Sequence, residues 1–280
     1  MDFLVVDHVA KSFPAPSGTG ELCVFRDVAF SIAEGEFLTM VGHSGCGKST
    51  LLNIIAGLER ATEGGVVLGG REIAGPGMDR MVVFQNFSLM PWMTVSENIR
   101  LAVRAAFPEW TREQINGCVQ RWVTTVGLGG SESKRPAALS GGMRQRVGLA
   151  RAFSTEPKVL LLDEPFAQID ALTRGVIQDE LMRMWTASRN TVFMVTHDVD
   201  EAILLSDRIA LMTNGPEARL AEIVEVKLPR PRSRADVIDE PEYARLRSHI
   251  IHFLVERSRH LQEQAVAEGA AGGHSLVTTR

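Results

Sequence analysis

Residues 42–50 read GHSGCGKST, which matches the phosphate-binding pattern G-x-x-x-x-G-K-[ST]. In such a loop, backbone N–H groups cradle phosphate oxygens, and the N-terminus of the following helix adds about half a positive charge. Lys48 is expected to reach the β- and γ-phosphates, and Ser49 to offer its hydroxyl to Mg²⁺. The predicted nucleotide-binding residues are Gly42, His43, Ser44, Gly45, Cys46, Gly47, Lys48, Ser49 and Thr50, with Cys46 contributing its backbone rather than its thiol.

Two acidic residues follow an apolar run further along the chain. VLLLDEP (159–165) is typical of a buried parallel strand that ends at Asp163 and Glu164. In open α/β sheets, ligands bind at the carboxyl edge of the strands, where these carboxylates would lie. We predict that Asp163 holds Mg²⁺, directly or through water, and that Glu164 polarises the attacking water.

Two further strand ends carry polar residues. TVFMVTHDVDEA (191–202) is interpreted as a strand followed by His197, which could contact the γ-phosphate or the attacking water. VVFQ (82–85) ends with Gln85, whose neutral amide can contact Mg²⁺ or water and leave the site at little cost. Glu164, His197 and Gln85 are therefore the candidate catalytic residues, and Ser49, Gln85 and Asp163 the candidate metal ligands.

A second anion-binding element lies at 139–147, LSGGMRQRV, where a Ser-Gly-Gly turn opens a helix. With this element the chain resembles the ATP-binding subunits of ABC transporters over about residues 2–228. The motifs that carry the resemblance occur in the family's order: the phosphate loop, Gln85, LSGGM (139–143), Asp163-Glu164, Asp170 and His197. Two positions depart from it: Met143 stands where the family has Gln, and AQID (167–170) replaces SALD.

The resemblance implies ATP and Mg²⁺ as cofactors and assigns five further residues. Phe13, in KSF, would stack on adenine, and Asp170 would belong to the nucleotide site. Ser140, Gly141 and Gly142 would contact the nucleotide of a second ATPase subunit, which is either an identical chain or a paralogue. Gln168 and Ile169 could alter contacts across that dimer without removing the chemistry.

The elements that must position these residues form an α/β P-loop NTPase core with a mainly parallel sheet. Residues 1–41 alternate like antiparallel strands around a loop at 14–20, and a helical subdomain at about 86–156 is inserted in the core. Thr94/Glu97 and Thr111/Gln114 have capping-box spacing, and Gly127 is a predicted helix C-cap. We expect the ABC ATPase domain over 1–228, then a linker, a C-terminal helix and a tail that is disordered from 266.

Composition limits the classes of function. The chain has 280 residues, 45% of them hydrophobic, which is enough for a sizeable core. A net charge of −4 and a pI near 6.0 give no support for a nucleic-acid partner. Cys23, Cys46 and Cys118 are too widely spaced for a metal motif. With neither a signal peptide nor a run of 18 apolar residues, we expect any membrane work to fall to a separate protein.

The family resemblance also suggests partners and a solute. FQNFSLMPWMTVSENI (84–99) is similar to importers of nitrate, nitrite, cyanate or bicarbonate and of sulfonates or taurine; residues 213–232 and 243–254 favour nitrate. The implied role is the ATPase of a small-anion importer at the cytoplasmic face of the inner membrane, with transmembrane permease subunits and a separate solute-binding protein. The alternatives are a sulfonate or taurine importer and a soluble ABC ATPase acting on ribosomes or DNA.

Three segments leave alternatives open. Phe87, Leu89, Met90 and Trp92 are candidates for the face that docks a permease helix, or belong to the insert's own core. PRPRSR (229–234) is interpreted as a solvated basic linker, with phospholipid or partner contact as the weaker reading. His249 and His252 are three residues apart on a predicted helix and could bind a metal weakly, although a solvated face is favoured.

Overall fold

The computed structural model describes residues 2–15, 18 and 20–272, with side chains described through residue 256. The strands are β1 (Asp2–Pro14), β2 (Glu21–Ala33), β3 (Phe37–Val41), β4 (Glu63–Leu68), β5 (Arg71–Glu72), β6 (Arg80–Val83), β7 (Val159–Asp163), β8 (Thr191–Thr196), β9 (Arg208–Met212) and β10 (Leu220–Glu225). The helices are α1 (Lys48–Ala56), α2 (Val95–Ala106), α3 (Arg112–Thr125), α4 (Gly141–Phe153), α5 (Ala171–Ser188), α6 (Val199–Leu205), α7 (Arg234–Val237) and α8 (Pro241–Gly272).

Two sheets form the framework. An antiparallel sheet has the order β2-β1-β4-β5, and a six-stranded sheet has the order β10-β9-β3-β8-β7-β6. Neighbours in the larger sheet are parallel except β10, which pairs antiparallel with β9. The predicted α/β fold, with a mainly parallel sheet and an N-terminal antiparallel region, is therefore confirmed.

The central strands of the larger sheet are covered on both faces. Along β3, Phe37 and Val41 join one core cluster, while Leu38 and Met40 join the other. This alternation follows from the pleat, which points successive side chains to opposite faces. Because neither face meets water, β3 and β8 consist of buried residues throughout.

The inserted helices begin where the sequence places their caps. The Thr94/Glu97 and Thr111/Gln114 capping boxes are both formed, which confirms these two helix starts. Helix α3 ends slightly earlier than predicted: Val126 is its cap, and Gly127 follows in the left-handed region with φ 65°. A short 3-10 turn, Pro136–Ala138, leads into α4.

The basic segment after β10 is packed against the core, so its interpretation as a solvated linker was wrong. Arg232 donates hydrogen bonds to the carbonyl oxygens of Ile203 (2.9 Å), Ser206 (2.6 Å) and Leu228 (3.0 Å). Arg230 pairs with Asp207 at 2.8 Å, and its guanidinium lies 4.5 Å from the centroid of the Trp185 ring. Burial lowers the pKa of Arg232 to about 10, and the neighbouring charge of Arg230 acts in the same direction.

The C-terminal helix α8 packs on α6. Leu246 and Ile250 are buried in the core, while the Tyr243 hydroxyl and the Arg247 Nε both donate to Asp200, at 2.7 and 2.8 Å. The helix continues to Gly272, past residue 266 where we predicted disorder to begin; residues 273–280 lie outside the described part of the chain. In the part of the chain that the structure describes, no helix is long and apolar enough to span a membrane.

Candidate functional site

The phosphate loop joins β3 to α1 through two glycines in the left-handed region. Gly45 has φ 84° and Gly47 has φ 95°, values that side chains rarely adopt. A Cβ atom on Gly47 would also lie 2.6 Å from Phe25 Cδ1. Gly47 is the N-cap of α1 and makes no side-chain cap bond, so no cap side chain competes with an anion for the first-turn N–H groups.

Lys48 is buried under this loop. Its ammonium Nζ donates to the carbonyl oxygens of Gly42 at 2.7 Å and His43 at 2.9 Å, and so ties the start of the loop to the start of α1. Cys46 is buried beside it, and burial raises the pKa of its thiol despite the nearby ammonium. Cys46 is therefore not an activated thiolate, which agrees with a backbone role.

The hydroxyl of Ser49 and the carboxylate of Asp163 meet at the start of α1. The Ser49 hydroxyl donates to Asp163 Oδ1 at 2.7 Å, which joins the phosphate loop to the end of β7. Burial raises the pKa of Asp163, while the Ser49 hydrogen bond opposes that rise. A hydroxyl and a carboxylate are ligands that suit Mg²⁺, so these residues fit the predicted metal site.

Three candidate catalytic residues meet at the carboxyl edge of the sheet. Glu164 Oε2 lies 3.2 Å from His197 Nδ1 and 3.4 Å from Gln85 Nε2. Glu164 and His197 directly follow β7 and β8 as predicted, whereas Gln85 lies two residues beyond β6 rather than at its end. One carboxylate oxygen thus lies between an imidazole and an amide, so the three side chains form a connected cluster.

The backbone at Glu164 is unusual. Its φ is 43°, in the left-handed region that a residue with a side chain seldom occupies. Its N–H donates to the Val195 carbonyl oxygen of β8 at 3.0 Å, which helps to hold this conformation. Such strain often occurs at functional sites, and here it turns the chain directly after β7.

The Ser-Gly-Gly turn is built by its own caps and close contacts. Ser140 is the N-cap of α4, and its hydroxyl accepts the Met143 N–H at 3.3 Å. A Cβ atom on Gly142 would meet Thr173 Cγ2 at 2.5 Å. Across the described residues, no hydrogen bond joins this turn to the phosphate loop. Its predicted role toward a nucleotide stays a prediction.

Asp170 and Phe13 were assigned to the nucleotide site by family resemblance alone. Asp170 caps α5, accepting the Thr173 N–H at 3.0 Å, and this bond holds the pKa of its carboxyl below the usual value. The Phe13 side chain is exposed on β1, with Lys11 Nζ 4.6 Å from its ring centroid. An exposed ring face is compatible with adenine stacking, which stays a prediction.

Known proteins share the sequence motifs and the fold described above. The family model described as ABC transporter matches residues 25–167, about half of the chain. The chain belongs to the ABC transporter family. Among solved structures, the ATP-binding cassette MJ0796, a dimer in a post-hydrolysis state bound to ADP and Pi, matches with a TM-score of 0.71 and 28% identity, over 81% of this chain and 100% of that one.

Curated ABC relatives are identical to this chain at about half of the aligned positions. They include the nitrate import ATP-binding protein NrtC of Synechocystis sp. (49% identity, 99% of this chain, 41% of that protein). The bicarbonate transport ATP-binding protein CmpC of Synechococcus elongatus matches at 53% identity over 92% of this chain and 39% of that protein. The chain thus spans about two-fifths of the length of these two relatives. It spans 93% of a third, the nitrate import ATP-binding protein NrtD of S. elongatus, which is 49% identical over 92% of this chain.

One predicted surface of this ABC protein needs correction. Phe87 is buried, with Arg151 donating to its carbonyl oxygen at 3.1 Å, and Leu89 packs against the core. The assignment of Phe87 to a docking face was therefore wrong, because its side chain is buried in the single chain, whereas the docking role of the partly buried Leu89 stays a prediction. Trp92 is 65% exposed and Met90 is partly buried, so Trp92 remains available for a partner.

A buried carboxyl near the site was missed by sequence reasoning. Glu201 Oε2 accepts the Thr196 hydroxyl at 2.9 Å, and its Oε1 accepts Gln178 Nε2 at 3.1 Å. Burial raises its pKa to about 7, and the charge of Asp198 adds to the effect. Asp198 and Glu201 have capping-box spacing, a signal that could have marked the start of α6 but not the burial of Glu201.

The second missed contact reaches the phosphate loop itself. His43 Nε2 lies 3.0 Å from the Leu254 carbonyl oxygen on α8. His249 and His252 on the same helix contact Glu222 (2.8 Å) and Glu256 (3.1 Å) instead of forming a metal site. Among the described residues, no group of three or more His, Cys, Asp or Glu side chains could hold a metal ion.

Proposed function

We propose that this chain is the ATP-hydrolysing subunit of an ABC importer for a small anion, nitrate or nitrite by preference. The observation that carries the proposal is the cluster of Glu164, His197 and Gln85 beside the Ser49–Asp163 pair. These groups line the edge of the sheet at which the phosphate loop begins. The site therefore combines a loop that binds phosphate, a pair of residues that would hold a metal ion, and a carboxylate that would activate water.

The residues of the chain divide the chemistry between them. Lys48 and the N–H groups of α1 bind phosphate oxygens and stabilise the negative charge that develops during transfer. Mg²⁺, held by Ser49 and Asp163, would neutralise phosphate charge. Glu164 aligns the attacking water and accepts its proton, while His197 and Gln85 orient that carboxylate through their contacts with Oε2.

A complete site requires a second subunit in this proposal. Ser140 begins a 13-residue helix whose N-terminus favours an anion, yet it makes no hydrogen bond to its own phosphate loop among the described residues. In a two-fold dimer each turn would contact the nucleotide held by the other chain. The dimeric form of MJ0796, at 28% identity, supports this arrangement.

The proposed assembly adds permease subunits and a separate solute-binding protein, with this chain at the cytoplasmic face of the membrane. Trp92 is the candidate permease contact, because it is the exposed member of the apolar loop after Gln85. ATP-dependent dimer closure would then be transmitted through that loop.

Bicarbonate is the second candidate solute. CmpC, named for bicarbonate transport, is 53% identical to this chain, while NrtC and NrtD, named for nitrate import, are each 49% identical. Nitrate remains our preference because, among relatives matched over 93% of their own length, the nitrate protein NrtD is 49% identical and the bicarbonate protein CmpD of S. elongatus is 46% identical. Sulfonates and taurine stay the more distant alternative.

Tracer uptake in the native host tests the proposal. Wild type would be compared with Lys48→Ala for labelled nitrate, bicarbonate and taurine, with the exposed Lys227→Ala as the matched control. We expect Lys48→Ala alone to abolish nitrate uptake. Loss of bicarbonate or taurine uptake instead would identify that compound as the solute. Unchanged uptake of all three would contradict the importer role for these anions.

A further inference from the structure

The inserted helical hairpin contains a cleft that the proposed ATPase function does not use. Its volume is about 680 Å³, and it lies between α2 and α3. We call it the α2–α3 cleft; the lining residues that matter here are Arg100, Arg104, Arg112, Asn116, Phe107 and Trp110. None of them belongs to the phosphate loop or to the Glu164 cluster, so the cleft is a separate site.

One wall of the α2–α3 cleft is cationic. Arg100 Nη2 donates to Asn116 Oδ1 at 3.2 Å, and within the described part of the chain no ion pair is formed by Arg100, Arg104 or Arg112. Glu109 and Glu113 lie in the same hairpin, but neither lines the cleft. Three guanidiniums therefore face a common space in a chain whose net charge is −4.

Two aromatic rings also line the cleft. The Phe107 and Trp110 rings stack with their centroids 4.0 Å apart and an interplanar angle of 9°. Both are partly buried and pack against the hydrophobic core, which holds them in place. A flat or apolar group entering the cleft would cover these rings, while its charged end met the arginines.

Regular structure fixes the position of the charges. Arg100 and Arg104 are four residues apart on α2 and so share one face of the helix. The Thr111 capping box starts α3 at Arg112, and the N-terminus of that 14-residue helix adds positive potential on the same side. The cationic wall is therefore formed by two helices rather than by a mobile loop.

We propose that the α2–α3 cleft binds a phosphate-type anion that carries an apolar or aromatic group. Arginine forks match the oxygen geometry of phosphate and can bind it bidentately. The three guanidiniums form no ion pair in the described residues, although Arg100 interacts electrostatically with Glu97. Together they fit a dianion better than a singly charged ion such as nitrate. Bare phosphate is a poorer fit than a phosphate that carries an apolar group, because it would leave the surface of the two aromatic rings uncovered. The ligand is either a soluble phosphomonoester or an anionic lipid headgroup with its adjoining chain.

Calorimetric titration of the full chain with phenyl phosphate tests this proposal. Saturating MgADP is added so that phenyl phosphate cannot bind at the phosphate loop. The titration is repeated with the Lys48→Ala variant, and unchanged affinity there shows that the phosphate loop is not the binding site. We expect one site that binds phenyl phosphate more tightly than inorganic phosphate, while phenol does not bind. The affinity should fall at least tenfold in Arg104→Glu/Arg112→Glu, remain unchanged in the exposed Arg135→Glu, and weaken with salt.

A flotation assay with phosphatidylcholine vesicles, with and without phosphatidylglycerol, separates the two sources of ligand. Vesicle binding that is lost in the double variant identifies the lipid source, whereas phenyl phosphate binding alone identifies a soluble one. If neither probe binds, or if binding survives in the double variant, the proposal is wrong. Thermal unfolding checks that the variants fold, and the single Arg112→Gln variant serves if the double variant does not. The ATP hydrolysis rate of the double variant is measured as well. A wild-type rate together with lost ligand binding would show that the cleft and the proposed ATPase function are independent.

Discussion

The carboxylate of Glu164 depends on a backbone that most residues avoid. With φ at 43° and its N–H bound to Val195, Glu164 directs its Oε2 to His197 and Gln85. The side chain remains partly exposed, so water and substrate can reach it. A residue of this kind can combine fixed orientation with access to the reacting water.

We expect Glu164→Gln to retain ATP binding and to lower turnover by about 10²-fold or more, the usual size of a general-base contribution. The amide keeps the shape of the side chain but cannot accept a proton from water. The measurements are steady-state ATP hydrolysis and equilibrium ATP binding, with the exposed Glu225→Gln as control. Wild-type turnover in purified Glu164→Gln would remove Glu164 from this role.

Glu201 makes stability depend on pH. Its pKa is raised from 4.5 to about 7, so between these values the native state holds more protons than the unfolded chain. Stability contributed by the protonated form is therefore lost as pH rises from 4.5 to 7. Glu201→Gln should remove this loss and gain at most about 3 kcal/mol relative to wild type at pH 8, with little difference at pH 4.5.

Denaturant unfolding from pH 4.5 to 8 measures the Glu201 effect, and Glu225→Gln is again the control because its carboxyl is exposed. A constant difference between Glu201→Gln and wild type over this range would show that the carboxyl is not responsible. A loss of stability at every pH would instead mean that the bonds from Thr196 and Gln178 require a carboxylate.

At the scale of elements, the phosphate loop is shaped by two glycines that differ in one respect. Both have positive φ, but a Cβ atom would clash only at Gly47, 2.6 Å from Phe25 Cδ1; at Gly45 no atom lies within 4 Å. This pair separates the cost of backbone conformation from the cost of close packing. It also shows why the second glycine is needed: β2, which carries Phe25, lies against the loop.

We expect Gly45→Ala to lower the free energy of unfolding by about 1 kcal/mol, through backbone strain alone. Gly47→Ala should cost roughly 1–3 kcal/mol more, because Phe25 must move. Chemical denaturation of the two variants measures the difference. Equal losses would indicate that the loop shifts freely away from Phe25, contrary to the packing described here.

At the scale of the whole molecule, the Ser140 turn needs a second chain to meet a nucleotide. Ser140→Asp preserves the N-cap, since Asp caps helices as well as Ser does, but adds negative charge where a γ-phosphate would bind. Ser140→Asn preserves the cap without charge. In the Glu164→Gln background with ATP, we expect Ser140→Asp to weaken dimerisation at least tenfold and Ser140→Asn to change it little.

Light scattering coupled to gel filtration measures this dimerisation, with nucleotide-free protein as the monomer reference. Dimerisation of Ser140→Asp as tight as that of its parent would contradict a contact between this turn and the partner's nucleotide. Weakening by both variants alike would point to the serine hydroxyl rather than to charge.

The sequence by itself determined the features that depend on neighbours along the chain. The phosphate loop, both capping boxes of the insert and the acidic residues after β7 were predicted because turns, caps and strand ends require particular residues at fixed spacing. The apolar runs also predicted β7 as a buried strand and β8 as a strand. Family resemblance, rather than spacing, supplied Phe13, Asp170 and the role of the Ser140 turn, and these assignments stay predictions.

Tertiary structure decided the features that join distant parts of the chain. Phe87 is buried, with Arg144 5.4 Å from its ring centroid and Arg151 bonded to its carbonyl oxygen, and Arg232 is fixed by carbonyl oxygens at the C-terminal end of α6. Glu201 acquires its raised pKa from burial, and His43 meets Leu254 across 211 positions of sequence. None of these follows from local pattern, because the same side chains would be solvated if the elements packed differently. Local sequence patterns therefore determine the loops, caps and strand ends that carry the site residues. The packing of the sheet, the insert and the C-terminal helix determines which side chains are buried and which distant residues they contact.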